Sequence, residues 1–103
     1  GWRCDPAFAA ARGGLEAMTY EMAKELGPKG ITCNIVLLGH IENDVPPETT
    51  LTDEARAALL ARTPIGRLGQ PQDVVAAVEF LASEEAGFVN GARIDVNGGF
   101  VVG

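Results

Sequence analysis

The chain is poor in the residues from which metal and redox centres are built. It has two cysteines, Cys4 and Cys33, and one histidine, His40, in 103 residues. That set, without ligand spacing, excludes a zinc site, and the expected metal complement is none. Cys33 lies in an apolar run and reads as a buried, reduced thiol, which fits a cytoplasmic compartment. Basic charge is also scarce: eight Lys and Arg face fourteen Asp and Glu, a net charge of −6. With no basic run, neither nucleic acid nor an anionic membrane is an expected partner. No apolar stretch approaches the ~20 residues of a membrane span, and no secretory signal is visible. The sequence opens Gly1-Trp2-Arg3 with a recognisable element almost at once, so it reads as the interior of a longer protein.

What is present is an ordinary globular composition, 47% hydrophobic and 21% charged, enough for one small domain over residues 1–103. Residues 6 to 26 read as an amphipathic helix. Leu15, Met18, Met22 and Leu26 recur at three and four, giving one apolar stripe. Ala9 to Ala11 and Gly13-Gly14 keep its first half slender for packing against another helix, and Gly27-Pro28 stop it. Residues 31 to 38 read as a parallel strand covered on both faces. Pro46-Pro47 mark a loop. Thr52-Asp53-Glu54 cap a short helix through about Arg62. Pro71 opens another through about Ser83, with Val74, Val78, Phe80 and Leu81 as its apolar contributors. Arg93–Val96 is a last strand. The order is helix, strand, helix, helix, strand, part of an α/β sheet.

The stretch PAFAAARGGLEAMTYEMAKELGPKGITCNIVLL, residues 6–38, resembles the segment of the short-chain dehydrogenase/reductase family that carries the catalytic Tyr-x-x-x-Lys. Gly13-Gly14 match the small pair after the family's Lys, and Gly30-Ile31-Thr32-Cys33-Asn34 match its Gly-Ile-x-Val-Asn. In that register the Tyr position is Phe8 and the Lys position is Arg12. Tyr20 and Lys24 form a second Tyr-x-x-x-Lys, but Lys24 lies only 10 residues before Asn34, whereas Arg12 lies 22 before it. The pair reads instead as a solvent-facing i,i+4 couple. Further along, Pro64-Ile65-Gly66-Arg67-Leu68-Gly69-Gln70-Pro71, Phe80-Leu81-Ala82-Ser83, Asn90-Gly91 and Val96-Asn97-Gly98-Gly99 resemble successive family motifs. The closest flavour is the ketoacyl-carrier-protein-reductase-like branch.

The resemblance implies the C-terminal portion of a Rossmann-like, doubly wound parallel sheet and, for the whole family fold, NAD(P). The Gly-rich turn that holds the pyrophosphate belongs to the family's other half, so this chain alone is not expected to bind the cofactor. The cofactor-facing positions it implies here are Arg12, Gly39, Ile41 and Asn43, with Leu38 in place of the family's Pro. Glu42 and Asp44 are expected to set negative charge beside the diphosphate. No catalytic position is intact, because a phenyl ring at Phe8 neither gives nor takes a proton. Arg12 keeps donors for ribose hydroxyls. The family's dehalogenase relatives with Tyr-x-x-x-Arg also need the Tyr. Three readings follow. The chain is a non-catalytic family subunit or fragment that braces a partner, itself a family chain or the missing N-terminal half, in a homo- or hetero-oligomer. Or it is a fragment of an active NAD(P)-dependent oxidoreductase with the proton supplied by another residue or a water; His40, in the loop over the would-be cofactor, is one such residue, a solvent-exposed loop histidine being the commoner case. Or it is a small binding domain with no redox role.

Overall fold

A computed structural model of the chain describes residues 6–42 and 52–100. The elements are helix α1 (Pro6–Leu26), strand β1 (Ile35–Leu38), helix α2 (Asp53–Ala61), helix α3 (Pro71–Ala82) and strand β2 (Arg93–Val96), with short 3-10 turns at Gly27–Lys29 and Glu84–Ala86. β1 and β2 pair in parallel, Ile35 opposite Arg93 and Leu38 opposite Val96. A parallel pair needs a crossover, and the stretch holding α2 and α3 supplies it. This is a partial Rossmann-like α/β unit.

Helices α2 and α3 start where their cap chemistry places them. Thr52 accepts a hydrogen bond from the Ala55 N–H at 3.1 Å and opens α2, with Asp53 and Glu54 in its first turn. Pro71 opens α3, and the Asp73 carboxylate takes the Gln70 N–H at 2.7 Å. Ser83 falls just beyond α3, as its C-cap.

The first strand is shorter than the apolar run suggests: it begins at Ile35, not at residue 31. Two side-chain amides take over the preceding pairing. Asn34 donates to the Val89 carbonyl at 3.0 Å and accepts from the Ala92 N–H at 2.9 Å. Asn90 accepts from the Cys33 N–H at 2.9 Å and donates to the Ala23 carbonyl at 3.0 Å. The last bond ties the end of α1 to the turn before β2. The clasp therefore joins α1, β1 and the approach to β2. Asn34→Ala leaves a partly buried N–H and a carbonyl unpaired, and is expected to cost about 2 kcal/mol. Denaturant unfolding of the assembled protein, wild type against variant, checks this.

The core is small. Leu59 is fully buried and packs with Leu68 and Phe100, flanked by Leu60. The Arg62 guanidinium sits 5.0 Å from the centre of the Phe100 ring. Several expected core positions lie outside it. On α1, Leu15 is 52%, Met18 51% and Met22 38% exposed; on α3, Val78 and Phe80 are each 49% exposed. These faces need a further layer, which a two-stranded sheet does not provide. Adding a Cβ at Gly13 or Gly14 meets nothing within 4 Å among the described residues. Cys33 is half-buried rather than buried. Lys24 pairs with Glu21 at 3.2 Å, not with Tyr20. No helix among the described residues is long and apolar enough to cross a membrane.

Candidate functional site

The C-terminal ends of β1 and β2 open onto a cleft of about 200 Å³, lined in part by His40, Ile41, Thr63, Arg67, Asp95 and Asn97. In parallel α/β sheets this end of the strands is where ligands sit. Gly39 lets the two strand ends close, donating its N–H to the Val96 carbonyl at 2.9 Å. A Cβ at this position meets the Asn97 Cα at 2.7 Å, so no larger residue fits without moving the strand. The next residues turn toward the loop before α3. The Gly69 N–H donates to the His40 carbonyl and the Glu42 N–H to the Gly69 carbonyl, both at 2.8 Å, a one-residue parallel bridge centred on Ile41 and Gly69. Gly69 has no side chain to push Ile41 away, and a Cβ there runs into the Ile41 side chain.

Of the residues singled out from sequence, Ile41 lines the cleft, Gly39 pairs with Val96 beside it without lining it, and Asn43 lies outside the described residues, as does Asp44. Phe8 and Arg12 do not line the cleft. Both stand in the first half of α1, Phe8 57% exposed and Arg12 half-buried. Sequence reasoning missed Arg56, which pairs with Glu42, and the structural use of Arg67, which holds Asp73 through two bonds at 2.8 and 3.1 Å. The Pro-x-Gly-Arg-x-Gly pattern of residues 64–69 was the available signal for Arg67. Nothing local marked Arg56.

The electrostatics correct one expectation. Glu42 does not present a bare charge to the cleft: it is ion-paired with Arg56, and the Gln70 side-chain amide donates to its second oxygen at 2.7 Å. The Arg56 hydrogen bond, then that of Gln70, holds the Glu42 carboxyl below its ordinary range. The Arg67 bonds, then the Gln70 N–H, hold Asp73 at about 2. Burial pushes His40 below the usual 6.5, so its ring favours the neutral form.

The signs fix a pH profile. Each carboxylate has a lowered folded pKa, so its contribution is complete above the ordinary value and is lost as pH falls through the folded one, down to about 2 for Asp73. His40, also lowered, prefers neutrality in the fold, so its contribution starts to fall once pH drops below 6.5. Stability is expected to decline in two stages on acidification, the earlier one absent in His40→Gln. Thermal melts of the assembled protein between pH 7 and pH 3 check this.

These elements are part of a Rossmann-like α/β fold, and the comparisons agree. A family model described as enoyl-(acyl carrier protein) reductase matches residues 1–101, and the chain belongs to the short-chain dehydrogenase/reductase family. It is 46% identical over 92 residues to a 3-oxoacyl-[acyl-carrier-protein] reductase FabG of Vibrio cholerae, covering 89% of this chain and 37% of that protein. The FabG of Pseudomonas aeruginosa is also 46% identical, with 89% and 36% covered. That of Escherichia coli is 45% identical, with 89% and 37% covered. The chain thus spans little more than a third of the length of the curated relatives it matches.

Proposed function

We propose that the chain is a degenerate short-chain dehydrogenase/reductase segment whose role is to brace a family partner rather than to carry out proton transfer itself. The observation that carries this reading is Phe8, which occupies the position of the family's catalytic Tyr. Hydride delivery to a carbonyl leaves an oxygen that must gain a proton, and a phenyl ring has none to give. Arg12, in the Lys position, has no hydroxyl nearby in the motif on which to act. The apolar residues left exposed on α1 and α3 supply a surface for the partner, either another family chain in a homo- or hetero-oligomer or the N-terminal half of the fold. A cytoplasmic setting belongs to the same reading.

NAD(P) enters through the family alone. The residues described here do not fit the whole cofactor. At the cleft a diphosphate needs amides at a helix N-terminus or unpaired cations; the nearest helix, α3, opens with Pro71, which has no N–H, and Arg67 and the neighbouring Arg56 are committed to Asp73 and Glu42. The isolated chain is therefore expected to bind neither NAD nor NADP at millimolar concentration. Calorimetry tests this, and micromolar affinity contradicts it.

A second reading has one observation in its favour. His40 lines the cleft and is half-buried, and an imidazole is a group that can carry a proton in place of the missing hydroxyl, although burial, by lowering its pKa, makes its charged, donating form scarcer. In that reading the chain is part of an active NAD(P)-dependent oxidoreductase acting on a 3-oxoacyl-[acyl-carrier-protein], the substrate in the relatives' names. A His40→Gln variant that leaves the turnover of the assembled protein unchanged excludes it.

A further inference from the structure

Glu42 sits where three separate parts of the chain meet. One carboxylate oxygen is paired with Arg56 in α2. The other accepts from the side chain of Gln70, the residue that opens α3, at 2.7 Å. The backbone of Glu42 is bonded to Gly69. From Gln70 the chain of contacts continues through Asp73 to Arg67. Isolated exposed ion pairs contribute little. This one is half-buried at both ends, uses both carboxylate oxygens and lies beside a paired backbone.

We propose that Glu42 is a positioning residue: with Arg56 and Gln70 it straps α2 to the start of α3 across the loop after β1, and so holds His40 and Ile41 as one wall of the cleft. Glu42 itself does not line the cleft and acts through the backbone of its two predecessors. The assignment does not depend on whether the protein is catalytic.

A simple electrostatic role and a positioning role predict opposite signs at His40. If Glu42 matters only as a nearby negative charge, removing it lowers the His40 pKa, because the imidazolium loses an attractive neighbour and Arg56 loses its partner. The charged cleft residues Arg67, Asp73 and Asp95 are unaltered by the change. If Glu42 positions the loop, removing it hydrates His40 and raises its pKa toward 6.5. His40 is the only histidine of the chain, so it can be followed by NMR in an assembled protein in which this chain alone is labelled.

The experiment measures His40 titration and hydrogen exchange at the Gly69 amide in Glu42→Ala, in Arg56→Met and in the double variant Glu42→Arg with Arg56→Glu. The expected result is a raised His40 pKa and about tenfold faster Gly69 exchange in both single variants. The reversed pair restores both readouts, because the Gln70 amide can turn its oxygen to accept from the new guanidinium. Gly69 exchange unchanged in both single variants overturns the proposal. So does a lowered His40 pKa, or a reversed pair no better protected than the single variants.

Discussion

The isolated 103-residue chain is expected to show no cooperative unfolding transition as a monomer. Among the described residues its sheet has two strands, too few for independent stability without further layers. Seven large apolar side chains, Phe8, Leu15, Met18, Ile31, Leu38, Val78 and Phe80, are roughly half exposed. Burying such a side chain fully contributes about 1.5–3 kcal/mol, so each forfeits about 1 kcal/mol. The combined shortfall is of the same order as the whole stability of a typical domain, about 5–15 kcal/mol. Order is expected to come from more protein, supplied by a partner chain, by the other part of the fold or by self-association. Sedimentation with parallel thermal melts checks this; a compact monomer that unfolds cooperatively contradicts it.

On the proposed register, placing Tyr at Phe8 and Lys at Arg12 is expected to raise turnover. In the assembled protein, Phe8→Tyr with Arg12→Lys supplies a phenol and the ammonium that in the family lowers its pKa. General acid catalysis of this kind contributes roughly 10²- to 10⁴-fold, so turnover is expected to appear in the double variant where the wild type shows none. Phe8 is more than half exposed, so the added hydroxyl meets little steric resistance. Arg12→Lys alone is expected to change nothing, because it leaves no hydroxyl for the lysine to act on. NADPH oxidation with a 3-oxoacyl thioester, compared across wild type, both single variants and the double, checks both statements.

The parts of the fold that could be read from the sequence are those specified locally. The ends of α1, α2 and α3 follow from Gly27-Pro28, Thr52 and Pro71, each acting within a few residues of itself. The start of β1 could not be read, because Asn34 and Asn90 replace ladder bonds with side-chain bonds between positions 55 to 58 residues apart. The exposed stripe of α1 was correctly read as apolar; whether an apolar face is covered depends on which other layers are present. At the site, the motif points to Gly39 and Ile41, which follow the end of β1. The character of Glu42 was not, since its partners lie 14 and 28 residues away and convert an expected repulsive charge into a structural tie. The cleft itself is made by the residues after β1, the loop before α3 with Asp73, and the end of β2 with the turn after it, and no single stretch of sequence announces it.

The central claim is that Phe8 leaves this chain without the family's proton donor. The measurement that tests it most directly is the steady-state turnover of the wild-type protein in its native assembly, with NADPH and a 3-oxoacyl thioester, any partner's own active site having been inactivated. The predicted result is no oxidation of NADPH above the rate without protein. Turnover at ~1 per second or faster, typical of working enzymes, contradicts it.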